Sequence, residues 1–223
     1  AALIANTMAT QGHQVSIVIF KGGGGLTDAL NRERVELVLL AVKGPVSAVK
    51  ALAKLMSLTA NGSADVIYSF LPPANLVSGI IGLVRRKLRI VWGLRSSIMP
   101  MHLYSWKLRA LYWLEIKMMW MASGIITNSF AGQNKIPMRI KQRRRIVTVP
   151  NAIDTNSFFI NNTIRQALRK KQNLEPETIA IGIVARMDPV KDHFTFVRAA
   201  SRYASEVENS IFFIIGDGDP VYR

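Results

Sequence analysis

Short apolar runs alternate with stretches of helical spacing along nearly the whole chain, and no other feature limits the fold as much. Residues 15–20, 35–40, 66–70, 89–92, 124–127 and 146–149 are runs of four to six, mostly rich in Val and Ile, and read as strands. Between them lie helical patterns. Residues 3–10 read as the end of a helix stopped by Gly12. In residues 46–58, Val46, Val49, Leu52, Ala53 and Met56 recur near a period of 3.6. Pro72-Pro73 opens a third helix that runs to Val84, and residues 103–121 form a long fourth. Such alternation predicts a parallel sheet covered on both faces, and continuous apolar strands agree with two-sided burial.

Beyond Pro150 the pattern changes. Residues 151–162 are polar and turn-rich, 164–172 form a basic helix, and Asn173-Leu-Glu-Pro-Glu177 reads as a linker. A strand-helix-strand unit then restarts over 179–184, 194–204 and 211–215. The expected organisation is an α/β domain over residues 1–172 and the start of a second over 173–223. Two strands and one helix are too few to bury a core of their own. The chain is therefore expected to be truncated at both ends.

Composition narrows the chemistry. With 49% apolar residues the chain can bury a core, which excludes a disordered protein. Cys is absent, so there is neither a disulfide framework nor a thiolate metal site. His13, His102 and His193 lie far apart in sequence, which argues against a His-built metal site. The apolar run 71–84 spans about 21 Å as a helix, short of a roughly 30 Å hydrocarbon core. The opening Ala-Ala-Leu-Ile lacks a basic n-region, and the expectation is a cytoplasmic protein, soluble or peripheral.

Lys and Arg number 29 against 14 Asp and Glu, a net charge of +15. The excess is local: between Arg85 and Arg145 stand fourteen basic residues and a single acid, Glu115. Such a zone is a footprint for phosphates, an anionic membrane face or nucleic acid, or else a solubilising face.

Two strand exits carry the candidate chemistry. In Gly182-Ile-Val-Ala-Arg186-Met-Asp-Pro-Val-Lys191, two cations five residues apart flank Pro189 between a strand and a helix. Carboxyl ends of parallel strands are where α/β folds bind ligands, and a helix N-terminus adds partial positive charge. The pair could clamp a diphosphate, Arg as a fork and Lys as a point charge, or be two surface cations in a turn. In Ile214-Ile-Gly216-Asp217-Gly218-Asp219-Pro220, an apolar strand runs into Gly-x-Gly, which lets backbone approach a ligand. Its Asp217-Gly-Asp219 spells a metal-binding DxD, but the position suits a glycine loop better. A third element, Thr148-Val-Pro-Asn-Ala-Ile-Asp154, ends a strand in a Pro-Asn turn.

In this order these pieces resemble the family 4 retaining glycosyltransferases of the GT-B fold. That family carries V-P-N-G-[IV]-D, then a strand ending G-R-L-x-P-x-K-G, then one ending G-x-G. The counterparts are VPNAID at 149–154, ARMDPVKD at 185–192 and IIGDGDP at 214–220. Ala9-Thr-Gln-Gly-His-Gln-Val15 looks like the family's helix-to-strand corner. Ser69-Phe-Leu-Pro-Pro-Ala-Asn75, Trp92-Gly-Leu-Arg-Ser-Ser97 and Ile126-Thr-Asn-Ser129 look like its bacterial O-antigen, lipopolysaccharide and surface-polysaccharide branch. Ala152 and Asp192 stand where the family has Gly, so a different turn geometry is expected there. The family's first Gly-rich loop would precede Ala1, and its E-x7-E segment would follow Arg223.

The resemblance implies two Rossmann-like parallel-sheet domains, the second incomplete. It implies transfer of a sugar from a nucleoside-diphosphate sugar to a glycan or lipid-linked acceptor with retention. Arg186 and Lys191 would bind the donor diphosphate and stabilise it as it leaves, in place of a metal, with no cofactor needed. The departing phosphate would deprotonate the attacking hydroxyl, so a pair of catalytic carboxylates is not expected. Gly216, Asp217 and Gly218 would line the nucleotide side. Arg95, Ser96 and Ser129 would face the acceptor side, although Arg95 also fits the basic surface.

Trp106, Trp113 and Trp120 recur every seven residues in a pattern apolar nearly all round. It reads either as a core helix or as an interfacial helix at an anionic membrane, helped by Arg85-Arg-Lys87 and Arg143-Arg-Arg145. Two rivals to the transferase remain. A non-catalytic basic module would contact membrane or nucleic-acid phosphates, yet the sequence has no helix-turn-helix, zinc-finger or RNP pattern, so nucleic acid is not expected. An epimerase of GT-B architecture would need acid-base carboxylates and histidines that this stretch does not offer.

Overall fold

The computed structural model describes residues 1–20, 22, 27–95 and 105–218. Among them run, in order, α1 (Ala2–Thr10), β1 (Val15–Ile19), β2 (Val35–Leu39), α2 (Pro45–Leu58), β3 (Val66–Phe70), α3 (Pro72–Val84), β4 (Arg89–Leu94), α4 (Trp106–Met118), β5 (Gly124–Thr127), α5 (Phe130–Asn134), α6 (Met138–Lys141), β6 (Arg145–Thr148), α7 (Asn162–Lys171), β7 (Ile179–Val184), α8 (His193–Glu206) and β8 (Ser210–Ile215). Each strand and each long helix expected from the apolar pattern is present. The chain forms two compact units. One takes Ala1–Arg95, Leu114–Thr127 and Ile136–Val147; the other takes Ser96–Trp113, Asn128–Lys135 and Thr148–Arg223.

In the first unit β1–β2, β3–β4 and β4–β5 are parallel pairs. β1 pairs with β2 from Val15↔Val35 to Ile19↔Leu39. A four-stranded sheet has the order β3-β4-β5-β6. Its centre is β4, in register with β3 from Val66↔Arg89 and with β5 from Val91↔Gly124. The main core gathers on that strand: Ile90 and Trp92 pack with Ile81 of α3, Ile125 of β5, Met119, Met121, Ile136 and Ile140. The close seating of α3 depends on small residues. A Cβ at Gly82 would lie 2.5 Å from Ile90 Cγ1, and one at Gly79 would lie 3.0 Å from Trp92.

In the second unit β7 and β8 pair in parallel from Ile179↔Ser210 to Val184↔Ile215. α8 lies against this pair, with Phe196 and Tyr203 edge-on to Phe212 at 6.3 and 6.2 Å. Two-sided burial, expected for all strands, holds for β4 and β5 but not here, where Ile179 and Val184 are exposed. The physical reason is count: one helix covers one face of two strands.

The core-helix reading of α4 needs correction. Trp106 and Trp113 are 73% and 60% exposed, and Leu114 and Ile116 are also exposed. The residue that α4 buries is Glu115, at 5% exposure. Just beyond, Met119 and Met121 enter the core, so Trp120 between them turns outward at 46%. Among the described residues no helix is long and apolar enough to cross a membrane.

Candidate functional site

The candidate residues of the second unit lie where β7 and β8 end. Past Val184 the pairing continues: the Ala185 amide donates to the Ile215 carbonyl and the Met187 amide to the Asp217 carbonyl, both at 3.0 Å. Met187 also bridges Gly218. Arg186 lies between these two rungs, its side chain 67% exposed. The glycines are required by this contact. A Cβ on Gly216, whose φ is +155°, would run into the Ala185 carbonyl, and one on Gly218 would run into the Met187 carbonyl. The expected Gly-x-Gly loop therefore touches the Arg186 loop itself, so Arg186, Gly216, Asp217 and Gly218 come together at one strand edge. The Asp217 carboxylate accepts from the Gly218 amide at 2.7 Å. Asp219 lies outside the described residues.

Arg186 is engaged from its own loop. Its Nη2 lies 2.5 Å from the carboxylate of Asp188, two residues on. The Val190 amide also donates to Asp188, at 3.1 Å. That amide, then the Arg186 guanidinium and the Lys191 charge, hold the Asp188 carboxyl below its usual range. Asp188 thus caps a short 3-10 turn, Pro189–Lys191, and ends it with an exposed Lys191. The next residue, Asp192, has φ 50° and ψ 53°. The position adopts the left-handed conformation although it is not Gly, and the side chain gives a reason: its carboxylate accepts from the Thr195 amide at 3.2 Å and from Thr195 Oγ1 at 2.8 Å, capping α8. The expected departure in turn geometry is absent at Asp192. Ala152 is not among the described residues with positive φ, so its turn does without a left-handed residue. Nearby, His193 Nε2 is buried without a hydrogen-bond partner among the described residues, and no sequence signal pointed to it.

The other candidates stand as follows. Arg95, in the first unit, is exposed just past β4, with Cζ 5.5 Å from the centroid of the Phe70 ring. Ser129 caps α5, its Oγ accepting from the Gly132 amide at 3.1 Å. Ser96 lies outside the described residues. The 149–154 segment ends in a turn in which the Asp154 carboxylate accepts from Ser157 Oγ at 2.7 Å and from the Asn156 amide at 3.0 Å. These bonds, the Ser157 one first, hold its carboxyl below the usual range. Among the described residues no group of three or more His, Asp or Glu side chains is placed to hold a metal ion.

The segment SFLPPAN at 69–75 supplies Ser69 and Asn75 to a buried polar network. Ser69 Oγ donates to Asn75 Oδ1 at 2.7 Å and lies 2.8 Å from Ser78 Oγ. Asn75 Nδ2 donates to Glu115 Oε1 at 2.6 Å. Burial raises the Glu115 carboxyl above its usual range, against the opposing Asn75 bond. The one signal for this in the sequence was a lone acid between Leu114 and Ile116 in an otherwise basic stretch.

The parallel α/β units are Rossmann-like, and comparison with known proteins places the fold in the GT-B class. The model for Glycosyltransferase Family 4 matches residues 1–157, well over half of the chain, which belongs to that family. Among solved structures the chain is similar to Anabaena HepE in complex with UDP and glucose. The TM-score is 0.73 at 19% identity, over 99% of this chain and 59% of that one. It is also similar to the N-terminal domain of Candida albicans trehalose-6-phosphate phosphatase, with TM-score 0.66, 14% identity, and 98% and 61% coverage. A third is an alpha,alpha-trehalose-phosphate synthase (UDP-forming) from Burkholderia vietnamiensis, with TM-score 0.61, 12% identity, and 93% and 65% coverage. The chain thus spans about three fifths of these structures. No curated protein matches it.

Proposed function

We propose that the protein is a glycosyltransferase that moves a sugar from a nucleoside-diphosphate sugar to a glycan or lipid-linked acceptor, with retention and without a metal. The observation that carries this reading is the joined pair of loops after β7 and β8, with Arg186 set between the rungs that tie Ala185 and Met187 to the Gly216–Gly218 backbone. Arg186 and Lys191 would hold the donor diphosphate and neutralise the charge that grows as it leaves, a gain specific to the transition state. Asp188 would keep the guanidinium in place until the phosphate takes over the interaction. Gly216, Asp217 and Gly218 would line the nucleotide. Membership of Glycosyltransferase Family 4 supports sugar transfer, and the complex of HepE with UDP and glucose supports a nucleotide-sugar donor. We place the enzyme in the bacterial surface-polysaccharide branch, in the cytoplasm, peripheral at the inner membrane face, where the exposed Trp106, Trp113 and Trp120 favour docking.

The test is a titration of the full-length protein with UDP and other nucleoside diphosphates, repeated on Arg186→Ala and Lys191→Ala. Each substitution should weaken binding by roughly tenfold or more, as loss of a charge-assisted phosphate contact predicts. Diphosphate affinity unchanged in both variants, with binding to duplex DNA instead, would favour the non-catalytic basic module.

A further inference from the structure

We infer that the first unit carries a second phosphate-recognising site, formed by Lys117, Arg139 and Arg143 around the exposed face of Trp120. These side chains, with Ile140 and Gln142, line a cleft of about 470 Å³. Local structure explains why they converge. Ile140 is buried in the core beside Met119 and Met121, which pins α6 next to the turn that bears Trp120. The chain then folds back after α6, the Arg143 and Arg144 amides both donating to the Ile140 carbonyl at 3.0 and 2.9 Å. Arg144 Nη2 donates to the Trp120 carbonyl at 2.6 Å, tying the turn at 119–121 to the basic segment. That bond occupies Arg144 and leaves Arg139 and Arg143 at the cleft, both exposed.

Electrostatics favours an anion there. Arg139 and Arg143 form no ion pair among the described residues. Glu115, the acid nearest Lys117 in sequence, is buried and bonded to Asn75, and Asp154, the acid nearest Arg143, accepts from Ser157 Oγ and the Asn156 amide. Two arginines that line one cleft and form no ion pair repel one another, and a phosphate relieves this while taking charge-assisted bonds from both forks. The Trp120 ring adds a face for the apolar part of the same ligand, as an amphipathic aromatic at a wet boundary does. The ligand class is a phosphate monoester or diester, either free or as a lipid headgroup. This site shares no residue with the Arg186 loop.

The test uses the full-length protein with two probes: glycerol 3-phosphate in solution, and phosphatidylglycerol vesicles against phosphatidylcholine vesicles. Wild type should bind at least one phosphate probe. The double variant Arg139→Gln/Arg143→Gln should weaken that binding by tenfold or more while UDP affinity stays as in wild type, and Lys117→Gln should weaken it less. Loss of glycerol 3-phosphate binding assigns a free phosphate; loss confined to phosphatidylglycerol vesicles assigns a headgroup. Arg186→Ala should leave both probes unaffected, which separates this site from the proposed donor site. Failure of wild type to bind either probe, or equal binding by wild type and the double variant, would overturn the inference.

Discussion

Glu115 is the residue with the sharpest consequence. Its carboxyl is buried and holds its proton more tightly than an unfolded chain would, since burial raises its pKa. Its contribution to stability is therefore full in acid and falls as pH climbs from the ordinary carboxylate pKa, about 4.3, through the raised folded value. Glu115→Gln keeps an acceptor for Asn75 Nδ2 and has no proton to lose. That variant should be more stable than wild type at pH 7, with a flatter dependence on pH, read by urea denaturation from pH 4 to 8. Parallel curves for the two proteins would contradict this. Glu115→Ala removes the acceptor and leaves the Asn75 amide buried and unpaired, which should destabilise by about 1–3 kcal/mol. A sequence could flag the acid as odd, but its partner stands forty positions away, on another helix. Local pattern carries no such information.

Among the elements, α3 and β4 show how side-chain size sets a spacing. Gly79 and Gly82 let the helix sit close enough for Ile81 to be buried against the strand. Gly82→Ala would press on the branched, buried Ile90, which has no room to yield. Overpacking of this kind should lower stability by about 1–3 kcal/mol in a denaturant melt, and an unchanged midpoint would mean the core absorbs a methyl. The strands were readable because runs such as residues 66–70, 124–127 and 179–184 are bounded by polar or turn residues, and there expectation and structure coincide. α5 and α6 were not readable, since five and four residues are too short to display a 3.6 period. The junction of Arg186 with Gly216–Gly218 lay half in view. The rule that ligand loops follow parallel strands marked both ends, but the carbonyl contacts that make the glycines necessary appear only when the strands are paired.

For the molecule as a whole, charge and aromatic exposure act together. Fourteen basic residues lie between Arg85 and Arg145, and their one acid is buried. The exposed tryptophans belong to the same stretch of sequence. An interfacial attachment should thus show as sedimentation with phosphatidylglycerol vesicles at low salt and release at high salt. Each basic residue near the surface contributes on the order of 1 kcal/mol, lost with screening. Failure to sediment at any salt would remove the membrane from the proposal and leave the zone to solubility. The stripe itself was legible from its seven-residue spacing; its exposure was not, because an apolar periodicity looks the same whether it faces a core or a surface.

One arginine makes the stretch between α7 and β7 something other than a slack tether. Arg169 Nη2 donates to the carbonyls of Pro176 and Thr178 at 3.0 and 2.9 Å and also to that of Glu175. By fixing the backbone that follows, this single guanidinium should slow trypsin at the exposed basic pair Lys170-Lys171. Arg169→Ala should turn this into the earliest nick in a timed digest, and a wild-type rate of cutting would show that the peptide is held by other means.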